Sequence, residues 1–135
     1  MITKYRNRIS GPLLDRIDLH VEVPAVKYKE MAGEATGESS DKIRDRVEDA
    51  REIQRQRFAG RPALNCNARM APKDIKQHCQ LDEESQELLK MAMAELNLSA
   101  RAYDRILKVS RTIADLDHAE QIHSPHISEA IQYRS

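Results

Sequence analysis

Two arginines in this 135-residue chain stand in settings that could serve an anion, each with a plainer reading beside it. Arg16 lies in LLDRIDLHVEV, between Asp15 and Asp18. Arg101 lies in LSARAYDRILKVSRTIADL, at about the second helical position if Ser99 caps a helix there. A cation at that place faces the positive end of the helix dipole. The chemistry open to such residues is charge stabilisation. A guanidinium at a helix start can share a phosphate with the helix end, and one at a strand mouth can neutralise charge on a transferring phosphoryl group. Each residue also has a plainer reading. Arg16 can form local ion pairs with its two aspartates, worth little at a surface. Arg101, Arg105 and Lys108 share a stripe opposite the apolar one, the pattern of a solvated basic face or of a helical module that binds DNA or a protein directly.

The chain lacks the other parts of a nucleotide hydrolase. There is no G-x-x-x-x-G-K-[ST] loop and no apolar run ending in paired acids for magnesium. No Ser/His/Asp or Cys/His set suggests a nucleophile, so the chain is not expected to hydrolyse a nucleotide alone. Cys66, His78, Cys79, His118, His123 and His126 match no zinc-ligand spacing, and no metal site is expected. Two cysteines make no disulfide framework, which suggests a reducing, cytoplasmic setting. Lysine and arginine balance aspartate and glutamate, so any nucleic-acid role must come from a local patch. No apolar run approaches the roughly 18 residues of a membrane span.

The elements that must position the arginines are mainly helical. Leu13–Arg16 reads as a turn of helix after Gly11-Pro12. Ile17, Leu19, Val21 and Val23 alternate with polar residues, which predicts a strand from Ile17 to Val23, ended by Pro24. A lone strand cannot satisfy its own backbone, so its sheet is expected upstream in a longer protein. MAGEATGESS reads as linker. Ser39 or Ser40 then caps a helix with apolar positions Ile43, Val47, Ala50, Ile53 or Gln54, and Phe58. ALNCNARM is an ordered loop, and Pro72 opens a short helix. Asp82 caps the next, burying Leu89, Ala92 or Met93, and Leu96, until Asn97 ends it. Ser99 caps the long helix, with the stripe Tyr103, Ile106, Leu107, Ser110, Ile113 and Ala114, and Ser124-Pro125 starts the last one. The expected fold is a mainly α helical bundle preceded by one β-strand: residues 1–26 a core remnant, 27–40 a linker, and 41–135 a helical unit.

RISGPLLDRIDLHVEVP, then GESS before a charged helix, NARM, and LSARAYDRILKVSRTIADL together resemble the C-terminal part of bacterial magnesium-chelatase-like AAA+ ATPases, most of all their competence-type branch. The resemblance covers about Tyr5 to Arg134. It implies that Ile17–Val23 is the last strand of the AAA+ core and that the later helices are the lid subdomain over the nucleotide. It implies Arg16 as the arginine finger acting on a neighbouring subunit, because LLDRID resembles the S-R-F-D motif of the MCM helicases. The match departs at Asp15, where that motif has serine. Arg101 takes the place of the sensor 2 arginine, with Arg105 in reserve. ATP and Mg2+ are implied for the whole protein, with none held tightly by this chain alone. The implied partners are its own upstream core, neighbouring subunits of a ring, expected to be a hexamer, and DNA undergoing branch migration. The chelatase relatives instead remodel a metal-insertion partner.

Overall fold

The computed structural model describes residues 11–25, 33 and 37–134. The basic lead-in of Lys4, Arg6 and Arg8, most of the 27–40 linker and the side chain of Asp15 lie outside the described residues. In chain order the elements are α1 (Gly11–Arg16), α2 (Ser40–Arg57), a 3-10 turn (Asn67–Arg69), α3 (Pro72–His78), α4 (Glu83–Glu95), α5 (Ala100–Leu116) and α6 (Ser124–Gln132). The α5 helix is the axis: α1, α2, the 3-10 turn, α3 and α6 all pack against it, and α4 packs against α6.

Local chemistry sets most of the boundaries. Ser39, Asp82 and Ser99 each accept a backbone N–H three residues on, from Lys42, Ser85 and Ala102, and so open α2, α4 and α5. Pro72 sits at the first position of α3, where a missing N–H costs nothing, and Asp74 accepts from Ala71 N at 3.0 Å. Two non-glycine residues with positive φ, Asn97 and His118, end α4 and α5. Beyond them Leu98 N reaches back to Met93 O and Ala119 N to Ala114 O, the six-residue loop that satisfies terminal carbonyls. The α6 cap differs from expectation. His123, rather than Ser124, is the flanking residue, and its N–H donates to His126 Nδ1 at 2.9 Å. That bond makes Nδ1 the bare nitrogen, so His126 Nε2 carries the proton shared with Asp117 at 2.9 Å.

The core draws on every helix from α3 to α6. Ile75, Leu89, Ile106, Leu107, Ala114, Ile127 and Ala130 are buried there, with Phe58, Leu64 and Met70 from α2's end and the following loop. Leu81 and Ile122, which precede α4 and α6, form a parallel β-bridge. Four expected core positions are not buried: Tyr103, at the start of the α5 stripe, and Ile43 and Val47 on the first half of α2 with Leu96 at the end of α4. Helical spacing assigned them a face, but they stay exposed among the described residues.

The strand expected at Ile17–Val23 is not formed. Residues 17–25 carry no strand ladder, and Leu19, Val21 and Val23 are exposed. Alternation prepares a segment for a sheet, yet a strand exists only where a neighbour takes up its N–H and C=O groups. Here the backbone bond from His20 N to Tyr133 O, at 2.6 Å, ties the segment to the end of α6 instead.

A buried polar network joins α5 to the rest. The Asp115 side chain, with no solvent exposure, accepts both terminal nitrogens of Arg57 at 2.8 and 2.6 Å, Asn67 Nδ2 at 2.9 Å and Arg111 Nε at 3.2 Å. Arg111 also donates to the carbonyls of Ala119 and Glu120 beyond α5. Gln54 holds the 3-10 turn by accepting Asn67 N at 3.0 Å. Burial pulls the Arg111 pKa below its ordinary value, with Asp115 opposing the shift. The ALNCNARM loop is therefore held in place by α2 and α5 on both sides.

Two predictions follow from this packing. Asp115→Ala leaves two buried or half-buried guanidinium groups without their shared carboxylate and should cost about 3–5 kcal/mol in urea unfolding. Removing the exposed Arg55 side chain should change stability little, and equal losses in the two variants would contradict this ranking. Acid should weaken the fold through Asp74. Its carboxyl is held below the usual value by hydrogen bonds from Arg61, then from Ala71 N. A depressed folded pKa gives stability that is full above the unfolded pKa, near 4, and is lost as pH falls through the folded one. Asp74→Asn should flatten that acid limb in a pH series of unfolding curves.

Candidate functional site

The site is built around the first half of α5. The Ser99 cap fixes where the helix begins, which makes Arg101 its second residue. Arg101 is exposed and has no ion-pair or hydrogen-bond partner among the described residues. Among the described residues no ion pair offsets its placement beside the helix's positive end, and only Asp104, one turn on, lies near in sequence. Arg105, one turn later, is mostly covered and forms an ion pair with Asp18. Lys108 donates to the carbonyl of Ala68 at 3.1 Å. The basic stripe of Arg101, Arg105 and Lys108 is thus divided, and two of its three cations have protein partners. That leaves Arg101 as the cation free to meet an anion.

Arg16 closes α1, where a cation suits the negative end of the helix dipole. It is exposed and has no partner among the described residues. The expected support from Asp18 is absent, because Asp18 is taken by Arg105. Since α1 packs on α5, Arg16 and Arg101 belong to neighbouring helices. The two arginines supply donors only, the right equipment for phosphate oxygens and the wrong one for a cation. Among the described residues no three His, Cys, Asp or Glu side chains gather to hold a metal ion.

An open cleft of about 640 Å³ lies elsewhere, between α3, α4 and α5, over Ile75, Leu89, Met93 and Leu107. Neither Arg16, Arg101 nor Arg105 lines it. Cys79 does, with its thiol pushed up to about 11 by burial. Beside it, burial, with help from Arg57, lowers the His78 pKa. This pairing keeps the thiol protonated and the imidazole neutral, a poor basis for nucleophilic chemistry.

Sequence reasoning named Arg16, Arg101 and Arg105 as candidates but gave no sign of what holds Arg105. Asp18 and Arg105 are 87 residues apart, and no spacing rule links them. It also missed Arg111 and Asp115 as interior residues. A signal existed: with Leu107 they repeat every four residues, which places them beside the apolar stripe.

Residues 37–134 match the family model described as magnesium chelatase, subunit ChlI C-terminal, and residues 1–31 match magnesium chelatase, subunit ChlI. The chain is 45% identical over 135 residues to Competence protein ComM of Haemophilus influenzae, covering 99% of this chain and 26% of that protein. It is 40% identical over 133 residues to the uncharacterized protein YifB of Escherichia coli, covering 98% of this chain and 25% of the relative. Against the uncharacterized protein MT2965 of Mycobacterium tuberculosis it is 31% identical over 132 residues, covering 97% and 26%. The chain thus spans about a quarter of the length of the curated relatives it matches.

Thiol labelling checks the chemistry of the cleft. With its raised pKa, on the order of a thousandth of Cys79 is ionised at pH 8. Labelling should reach the partly exposed Cys66 first and Cys79 only on unfolding. A Cys66→Ser variant that reacts at pH 8 as fast as free cysteine would show the Cys79 environment to be misjudged.

Proposed function

The chain belongs to the magnesium chelatase subunit ChlI family, matching its C-terminal part over most of its length, and from this we propose that it is the helical lid of an ATP-driven AAA+ ring motor. In this reading Arg101 senses the phosphates of the chain's own nucleotide, and Arg16 serves as the finger toward the nucleotide of the next subunit. The observation that carries it is the contrast along α5. Arg105 is engaged by Asp18, while Arg101 stands capped, exposed and without a partner among the described residues.

Each arginine has a distinct task. Arg101 would meet phosphate oxygens beside the N–H groups of α5's first turn, so that helix and guanidinium share one anion. Arg16 would oppose the charge that builds on the transferring phosphoryl group. When bound, ATP with Mg2+ supplies the phosphoryl group and its neutralisation. The donor set of this chain suits the phosphates, and the metal would need acidic residues elsewhere in the whole protein.

For the substrate we favour DNA, with the ring driving branch migration during natural transformation. The likeness to a competence protein supports this choice. A second reading, a motor that remodels a metal-insertion partner, is favoured by the chelatase family description itself. Stimulation of the whole protein's ATPase by branched or single-stranded DNA separates the two, since a chelatase-type motor has no reason to respond.

In the whole protein Arg101→Ala should lower ATP turnover by about tenfold or more, the worth of a charge-assisted contact. Arg16→Ala should lower it on the order of a hundredfold or more with nucleotide still bound. Rings that mix Arg16→Ala subunits with subunits dead in nucleotide binding should recover activity, because the latter still carry an intact Arg16. Wild-type turnover in both single variants would defeat the assignment.

A further inference from the structure

Three of the four residues that follow Arg16 are held, one from α5 and two from the residues just past α6. Arg105, on α5, pairs through Nη1 with Asp18 Oδ1. Arg134, just past α6, donates through Nη1 to the carbonyl of Ile17. The backbone N–H of His20 donates to the carbonyl of Tyr133 at 2.6 Å. These contacts fall on Ile17, Asp18 and His20, directly after α1, which itself packs on α5. Past His20 the segment runs out to Val23, 81% exposed. The held part of the segment is thus the part next to Arg16.

Arg105 bears a cost in making this contact. Its Nε is buried with no acceptor among the described residues, a loss that a side chain free to swing into water would avoid. One ion pair at a half-exposed site restrains little by itself. Three contacts on four consecutive residues restrain the backbone, because each limits the motion the others would allow.

We infer that Asp18, Arg105 and Arg134 form a clamp that positions Arg16 against α5, so that Arg16 and Arg101 move as one body. The inference rests on the roles proposed above for those two arginines. Arg105 lies one turn, about 6 Å along the axis, from Arg101 on the same face of α5. A shift of the start of α5, as Arg101 takes up a phosphate, passes through Arg105 to Asp18, two residues from Arg16. The state of one nucleotide site is thereby carried to the residue offered to the next. Asp18, Arg105 and Arg134 are positioning residues in this scheme and touch no nucleotide.

Asp18→Asn in the whole protein tests it. Turnover should fall about tenfold or more, as expected when a reacting group is displaced slightly, while the KM for ATP stays within about twofold. In mixed rings with subunits dead in nucleotide binding, Asp18→Asn should be rescued as Arg16→Ala is, because the defect lies in what the subunit offers its neighbour. Reversing the pair, Asp18→Arg with Arg105→Asp, should restore more turnover than either single change leaves. If Arg16→Ala abolishes turnover and Asp18→Asn does not lower it, the clamp is overturned while the finger reading stands. If Arg16→Ala leaves turnover intact, both fail. Amide exchange gives a readout independent of catalysis. In the 135-residue chain the His20 N–H should be protected, and Asp18→Asn should speed its exchange without changing the amides of α5. Exchange of wild-type His20 at the open-chain rate overturns the clamp.

Discussion

The carboxylate of Asp115 is the constraint on which the architecture turns. It sits in the interior with no exposure, and a charge there is tolerable only if donors surround it. Arg57, Asn67 and Arg111 meet that need, and they come from α2, the 3-10 turn and α5 itself. Three parts of the chain are thereby obliged to meet at one point. Apolar packing could bring α2 and α5 together at several rotations. The bidentate geometry of Arg57 on Asp115 selects one of them.

The consequence reaches the other end of α5. Asp115 lies near that helix's last turn and Arg101 in its first, so what is anchored at one end is presented at the other. Arg111 extends the anchor into the turn before α6, through the carbonyls of Ala119 and Glu120. Just past α6 lies Tyr133, whose carbonyl accepts the His20 N–H. The core of the bundle thus leads by covalent and hydrogen-bonded steps to the segment that carries Arg16. Interior polar groups and surface arginines belong to one mechanical frame.

Much of the helical layout was legible because it depends on neighbours in sequence. Ser39, Asp82 and Ser99 cap within three residues, Pro72 opens its helix, and Asn97 closes one by accepting a positive φ. The stripe of α5 was legible from periodicity, with Ile106, Leu107, Ser110 and Ala114 buried as spacing implies. The failures share one cause. Ile43, Val47, Leu96 and Tyr103 have helical spacing but stay exposed, while Ile17–Val23 has alternation whose pairing strand was expected elsewhere in a longer protein. A period says which face is apolar, never whether something lies against it.

By itself, then, the amino-acid sequence determined the helices and most of their caps, and it marked Arg101 as a cation at a helix start, since each of these depends on residues within a turn or two. Family membership was legible too, in motifs long enough to be specific. Tertiary structure alone decided which cation is free. Arg101 and Arg105 look alike on the helix, a turn apart, and only the return of Asp18 across 87 residues engages one of them. It also turned Arg111 and Asp115 from an ordinary surface pair into the centre of the fold. Whether a charge is solvated or enclosed depends on which distant segments come to surround it, and no local pattern records that.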